Sequence, residues 1–203
     1  KQEYDLRQAE ARDAWLEDRW EGQPLPLPEM TCTKWVIFTL TGQADNILVK
    51  GPAPEHMESE SWIRNLQEDG RPVIPGSSIK GAVRARAEAI GTLKGIPGQR
   101  LEELFGKSSE GGGNEMAGII RFEDAILSPD RTRKITRIRI NRFTAGVIRG
   151  GLYQEEPVCT SLQIRIAVPA DCALGCGLVL YALRDLGLGL YSLGSGEAIG
   201  RGR

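Results

Sequence analysis

Seven Arg or Lys residues and no acid lie between Arg131 and Arg149. Positive charges at that density repel one another, and the repulsion is relieved when a polyanion lies against them. Lys134–Phe143 alternates with the period of a strand, placing Arg137, Arg139 and Asn141 on one side and Ile138 and Ile140 on the other. Arg142, Thr144 and Arg149 follow. Phe143 and Tyr153 bracket the segment with rings of the kind that stack on bases. The chemistry that fits is contact with the sugar-phosphate backbone of a nucleic acid; the competing reading is a solvated strand face.

A second candidate is Val73–Ala82. Pro75-Gly76 makes a turn, Ser77 or Ser78 supplies an N-cap, and a helix is expected to run to about Ile90. Ile79, Ala82, Val83, Ala87 and Ile90 form its buried stripe, with Lys80, Arg84 and Glu88 on another face. Gly81 is expected to let the helix lie close to a sheet. Free N–H groups, the positive helix end, the Ser77 and Ser78 hydroxyls and the Lys80 and Arg84 cations would make a phosphate cradle. An ordinary capped amphipathic helix reads the same way. The glycine-rich end, Gly194–Arg203, is either a flexible tail or an ordered loop. In the second case the amides at Gly194 and Gly196 approach phosphates, with Arg201 beside them.

Two apparent motifs fail on spacing. Gly106-Lys107-Ser108 lacks the glycine five residues earlier that a phosphate-binding P-loop needs, and a helix rather than a strand precedes it. Gly194, Gly196 and Gly200 close the sequence rather than open a βαβ unit. Of four cysteines only Cys172 and Cys176 are close, without a second pair or nearby His, so no zinc site is expected. The 203 residues carry 26 basic and 27 acidic side chains for a net charge of −1, so the basic character is local. No apolar run is long enough to span a bilayer. With no signal-like start, a cytoplasmic protein is expected.

The elements that must position these groups begin with an acidic helical appendage and Pro-rich linker over residues 1–30: a helix at 1–22, then the Gly22–Pro28 stretch. Residues 31–203 form the main domain. Lys34–Leu40 is expected as a strand, Thr41–Asn46 as a turn, and Pro52–Gly70 as a long polar excursion. Gly118–Ala125 reads as a strand ending in acids. Turns at Ala145-Gly146 and Gly150-Gly151 suggest a protruding hairpin. Leu162–Val168 is a further strand and Leu178–Leu186 a helix. The class is α+β, with helices on one face of an antiparallel sheet.

Five of these stretches, in this order, resemble the RAMP superfamily of CRISPR-associated proteins: Ile74–Ala82, Leu104–Gly106, Gly118–Leu127, Ile140–Val158 and Leu193–Arg203. They are most similar to the repeated backbone subunit of type III effectors and to the equivalent domains of fused effectors. The likeness runs from about Lys34 to Arg203. It implies an RRM-like, ferredoxin-type core with a thumb-like hairpin at Ile140–Val158, and subunits stacked along a guide RNA beside other RAMP subunits. Ser77, Ser78, Lys80 and Arg84 would touch guide phosphates, and Gly194–Arg201 would lie against the RNA backbone. The zinc insert of single-chain effectors is not visible before Leu104-Phe105-Gly106.

The resemblance also implies cleavage of bound target RNA by an acid in the loop before the Pro75 helix, where the family carries Asp. That position falls on Glu60, within Glu58-Ser59-Glu60-Ser61-Trp62, with Glu58, Asp45 and Glu55 as lesser candidates. Such a carboxylate would hold Mg²⁺ or orient the attacking 2′-hydroxyl. Glu is a departure, since its extra methylene displaces the carboxylate. Two alternatives stand beside this reading. One is a RAMP endonuclease that processes precursor guide RNA, for which His56 is the sole histidine. The other is a non-CRISPR RRM-like interaction domain.

Overall fold

The computed structural model describes residues 34–51, 62–107 and 115–203, together with Asp13. The chain divides into two compact units, Lys1–Thr33 and Lys34–Arg203. The expected N-terminal helix and proline linker lie outside the described residues.

The second unit begins with strand β1 (Trp35–Ile47). After it come β2 (Trp62–Arg64), β3 (Gln67–Glu68) and β4 (Arg71–Ile74), then helices α1 (Gly76–Leu93) and α2 (Gly98–Phe105). Four two-residue strands follow: β5 (Gly106–Lys107), β6 (Met116–Ala117), β7 (Arg121–Phe122) and β8 (Ala125–Ile126). The chain then forms β9 (Ser128–Thr132), β10 (Ile135–Ile140), β11 (Val147–Glu156), β12 (Val158–Pro169) and helix α3 (Ala173–Gly187). The class is α+β, with mainly antiparallel sheets and, among the described residues, three α-helices.

β12 organises the main sheet. It pairs with β1 along one edge, and with β7 and β9 in series along the other. Ile164, Ile166 and Val168 are wholly buried while Ser161, Gln163 and Arg165 are exposed, the period-two alternation of a one-sided sheet. The expected turn at Thr41–Asn46 is absent. Thr41, Gly42 and Gln43 pair with Gln163, Leu162 and Ser161, because β12 is long enough to give them partners.

On the buried face, α1 presents Ile79, Val83 and Ala87, and α3 presents Val179 and Ala182. The helices are joined by Asp185, almost fully buried, whose carboxylate takes ion pairs of 2.7 Å from both Arg86 and Arg184. The hydrogen bond from Arg184, then that from Arg86, outweighs burial and holds this carboxyl below its ordinary range.

Three local expectations change. Pro75, not Ser77 or Ser78, is the N-cap of α1. The first helical residue, Gly76, packs so closely that a Cβ there would sit 2.5 Å from the Phe122 carbonyl oxygen. Gly81, expected at the close approach, is exposed with open space around it. The Gly118–Ala125 strand is split, because the chain leaves β12 after Phe122 and joins β4 at Ala125.

These two glycines respond oppositely to the same change. Gly81→Ala, in an exposed helix interior, is expected to stabilise by about 0.5–1 kcal/mol. Gly76→Ala overpacks the helix start and is expected to cost about 1–3 kcal/mol. Urea unfolding of both variants checks the pair.

Candidate nucleic-acid interface

The basic stretch folds as a hairpin that prolongs the main sheet. β9 and β12 pair in the sheet, and their continuations β10 and β11 pair beyond it. At the junction the Arg133 N–H donates to the Pro157 carbonyl at 3.0 Å. Proline at 157 offers no N–H of its own, which suits a position where the ladder is interrupted.

The register places Arg137 opposite Tyr153 and Ile138 opposite Leu152. Directly opposed residues share a face. One face therefore carries Arg137, Arg139 and Tyr153, with the Arg139 guanidinium 5.1 Å from the Tyr153 ring centroid. The other carries Ile138, Ile140 and Leu152, all about half exposed or more. After Ile138↔Leu152 the next pair is Ile140↔Val147, so β11 holds extra residues around Ile148–Gly151. The expected turn at Gly150-Gly151 is this bulge. Gly150 takes a left-handed φ of +70°, and Arg149 lies exposed within it.

The hairpin turn spans Asn141–Gly146. Asn141 Oδ1 accepts the Phe143 and Thr144 N–H groups at 2.8 and 3.3 Å, and Thr144 Oγ1 accepts from the Gly146 N–H. Both side chains thus close the turn from within. Arg142 is exposed, and Phe143 stands 99% exposed at the tip.

At the hairpin base lies a buried acid, Glu155. Its Oε2 accepts from Arg137 Nε and from Arg201 Nη2, each at 2.6 Å. Arg201 is 4% exposed, so its guanidinium is committed within the protein. Burial pushes the Glu155 carboxyl up, but the hydrogen bonds and charges of Arg201 and Arg137 together hold it below the ordinary value. Beside it Asn65 is buried. It accepts the Val49 N–H at 2.8 Å and donates to the carbonyls of Ile47 and Glu156.

Arg201 belongs to an ordered loop, not a free tail. Leu193 N–H donates to the Gly202 carbonyl, closing the loop, and the Ser195 N–H and hydroxyl both donate to the Leu48 carbonyl. Gly194 has a φ of +83°, and a Cβ there would lie 2.7 Å from the Leu48 oxygen. Only glycine fits. Gly196, at +91°, is the N-cap of the short 3₁₀ turn Glu197–Ile199.

The amino end of α1 is anchored separately. Asp124 Oδ1 accepts the Gly76 N–H at 2.6 Å, placing an acid at the positive helix end. Ser77 and Ser78 are exposed and Lys80 is half-buried. Arg84 donates to Glu88 at 2.7 Å and to the Gly106 carbonyl at 3.0 Å. The structure therefore joins the glycine loop to the hairpin base through Glu155, while the Ser77–Arg84 face stands on its own anchor.

Residues 58–203 match the family model of the RAMP superfamily. The chain belongs to this superfamily. No curated protein matches it. Membership supports a CRISPR-associated, RNA-binding role for this RAMP protein, which suits an exposed basic hairpin. Among the described residues no helix is long and apolar enough to cross a membrane. Among the same residues no three His, Cys, Asp or Glu side chains gather as a metal site. Glu60, Glu58, Glu55 and His56 lie outside them, and Asp45 is exposed in β1.

Reading the sequence alone missed Glu155 and Asp124. Glu155 and Glu156 are the first acids to follow the basic run, just after the aromatic Tyr153 and Gln154, and this was the available signal. Removing Glu155 leaves Arg201 buried without a counter-charge, so Glu155→Ala is expected to cost about 3–5 kcal/mol in chemical unfolding. The stabilisation is complete above the ordinary carboxyl value of 4.5 and is lost as pH falls through the lowered one. Glu155→Gln, with nothing to protonate, should flatten that part of the acid-unfolding curve followed by circular dichroism.

Proposed function

We propose that this chain is a guide-RNA-binding backbone subunit of a type III CRISPR effector, or the equivalent domain of a fused one. It holds the guide and positions complementary target RNA, beside other RAMP subunits. The observation that carries the reading is the hairpin: Arg139 stacked on Tyr153, Arg142 and Arg149 exposed, and no acid on the arm before Glu155. A cationic and aromatic face of this kind binds phosphates and stacks bases at once. In the RRM-like reading of the core, the hairpin is the thumb, and its apolar face and Phe143 press between stretches of guide–target duplex. Ser77, Ser78 and Lys80 bind further phosphates on a second face. Arg201 and Arg137 serve by holding the arm and the glycine loop in place, and the Gly194 and Gly196 backbone lies against the RNA.

Target cleavage is assigned to Glu60 with a bound Mg²⁺. The carboxylate would hold the ion or orient the 2′-hydroxyl for attack on the adjoining phosphate.

The RNA reading is tested with a guide-type single strand in a filter-binding titration across salt. Arg139→Ala, Arg142→Ala and Arg149→Ala combined should weaken binding and reduce the slope of log affinity against log salt by about 0.7 for each phosphate no longer neutralised. An unchanged affinity and slope would sink it. With guide, complementary RNA and Mg²⁺, Glu60→Ala should abolish regularly spaced products while binding persists; products that survive the substitution refute the Glu60 assignment.

A further inference from the structure

The hairpin and the main sheet share one pair of faces. Thr132↔Val158 is the sheet's pair nearest the hairpin and Ile135↔Glu155 the hairpin's pair nearest the sheet, with two residues between them on each strand. No residue is inserted at the junction, so the alternation of the strands runs through it unbroken. Arg131, paired with Cys159, therefore shares a face with Arg137, paired with Tyr153. Outward, that face continues to Arg139, stacked on Tyr153. Inward along β12 it carries Ser161, Gln163 and Arg165, on the side opposite the buried Ile164, Ile166 and Val168.

Among the described residues this side of the sheet is bare, since α1 and α3 both pack on the other. Thr39, Thr41 and Gln43 of β1 stand opposite Arg165, Gln163 and Ser161, and all six are exposed. At the far end Arg121, paired with Ala167, reaches across β12 to Trp35, its guanidinium 4.4 Å from the ring centroid. An arginine laid on an aromatic ring thus stands at each end of the face.

The charge between those ends is mainly positive. Arg121, Arg131 and Arg133 have no ion pair with a described residue. Glu123 is taken by Arg165 at 3.4 Å, Glu155 is shared by Arg137 and Arg201, and Asp130 stands in the bulge of β9. Of the β1 and β12 side chains on this face, only Trp35 and Ile37 are large and apolar, too few for the core of a protein interface. Rows of hydroxyls and amides set between cations suit unpaired nucleotides, whose base edges are free to bond.

We propose that the open face of the main sheet is a further contact for single-stranded RNA, continuous with the hairpin and ending at Arg121 and Trp35. From Tyr153 to Ala167 it runs roughly 45 Å at about 3.3 Å per residue, room for about thirteen stacked nucleotides at about 3.4 Å each. The hairpin's own roughly 25 Å holds about seven. The inference rests on the RNA reading of the hairpin and extends it to a surface that reading does not use.

The test is a filter-binding titration of the whole chain with oligouridylates of about seven and about fifteen nucleotides. Arg121→Ala combined with Arg165→Gln should weaken the longer strand about tenfold and lower its salt slope by about 0.7 for each lost phosphate contact. The shorter strand should bind as before, which also reports that the variant is folded. Glu123→Gln, which frees Arg165, should tighten the longer strand alone by about twofold or more. A longer strand gains affinity simply from having more registers, so the variants decide the matter and not length by itself. An equal effect of the double substitution on both lengths, or none on either, overturns the proposal; none on either leaves this side of the sheet to solvent or to a protein. The Arg139, Arg142 and Arg149 variant on the shorter strand separates the two failures: if it binds undiminished, the RNA reading of the hairpin is what has failed.

Discussion

Glu155 accepts hydrogen bonds from two guanidinium groups in a place that water barely reaches. A carboxylate there is costly to bury alone, and so is Arg201. Each is tolerable because the other is present, and that mutual dependence fixes three pieces of chain together. Glu155 lies on β11, Arg137 on β10 and Arg201 in the loop that ends the sequence. β11 is also paired with β2, whose Trp62 lies two residues after Glu60. The hairpin base, the glycine loop and the end of the long excursion are therefore referred to one buried charge.

The same arrangement explains how a chain with net charge −1 keeps a concentrated basic segment. Two of the hairpin's and loop's arginines, Arg137 and Arg201, share Glu155 as their counter-charge. The others, Arg139, Arg142 and Arg149, are left without a neighbouring acid among the ion pairs of the described residues. Much of what repels on the free protein thus lies on the outer part of the arm, where an anion can reach it, with Arg131 and Arg133 exposed at its root. Asp124 does the reverse at the amino end of α1. It satisfies the Gly76 amide from within, leaving the serine hydroxyls and Lys80 as the groups that face outward.

Much of this was legible in the sequence, and the misses have physical causes. Alternation in Lys134–Phe143 gave the two faces of the hairpin, since a strand's period is read directly from residue types. The stripe of α1 was legible for the same reason. Where pairing depends on a distant partner, local reading failed. Thr41–Gln43 looks like a turn until β12 supplies residues to pair with it, and Gly118–Ala125 looks like one strand until two different sheets claim its halves. Glycines showed the limit most clearly. Gly76, Gly81 and Gly194 are alike in sequence, yet one meets a carbonyl, one meets open space and one needs a left-handed turn. The buried role of Arg201 was invisible, because nothing in an Arg names its counter-ion when that lies 46 residues away.

The junction at Arg133 and Pro157 has a mechanical consequence. β10 and its turn carry Phe143 roughly 25 Å from that point, at about 3.3 Å per residue. The hairpin is a lever with its fulcrum at the proline, and a rotation of about ten degrees there would sweep the tip through roughly 4 Å, more than the rise of one base step. The two hydrogen bonds to Glu155 sit close to the fulcrum, at the start of the arm itself. Small changes in their length are magnified at the tip, so the direction in which this arm points is decided at its root.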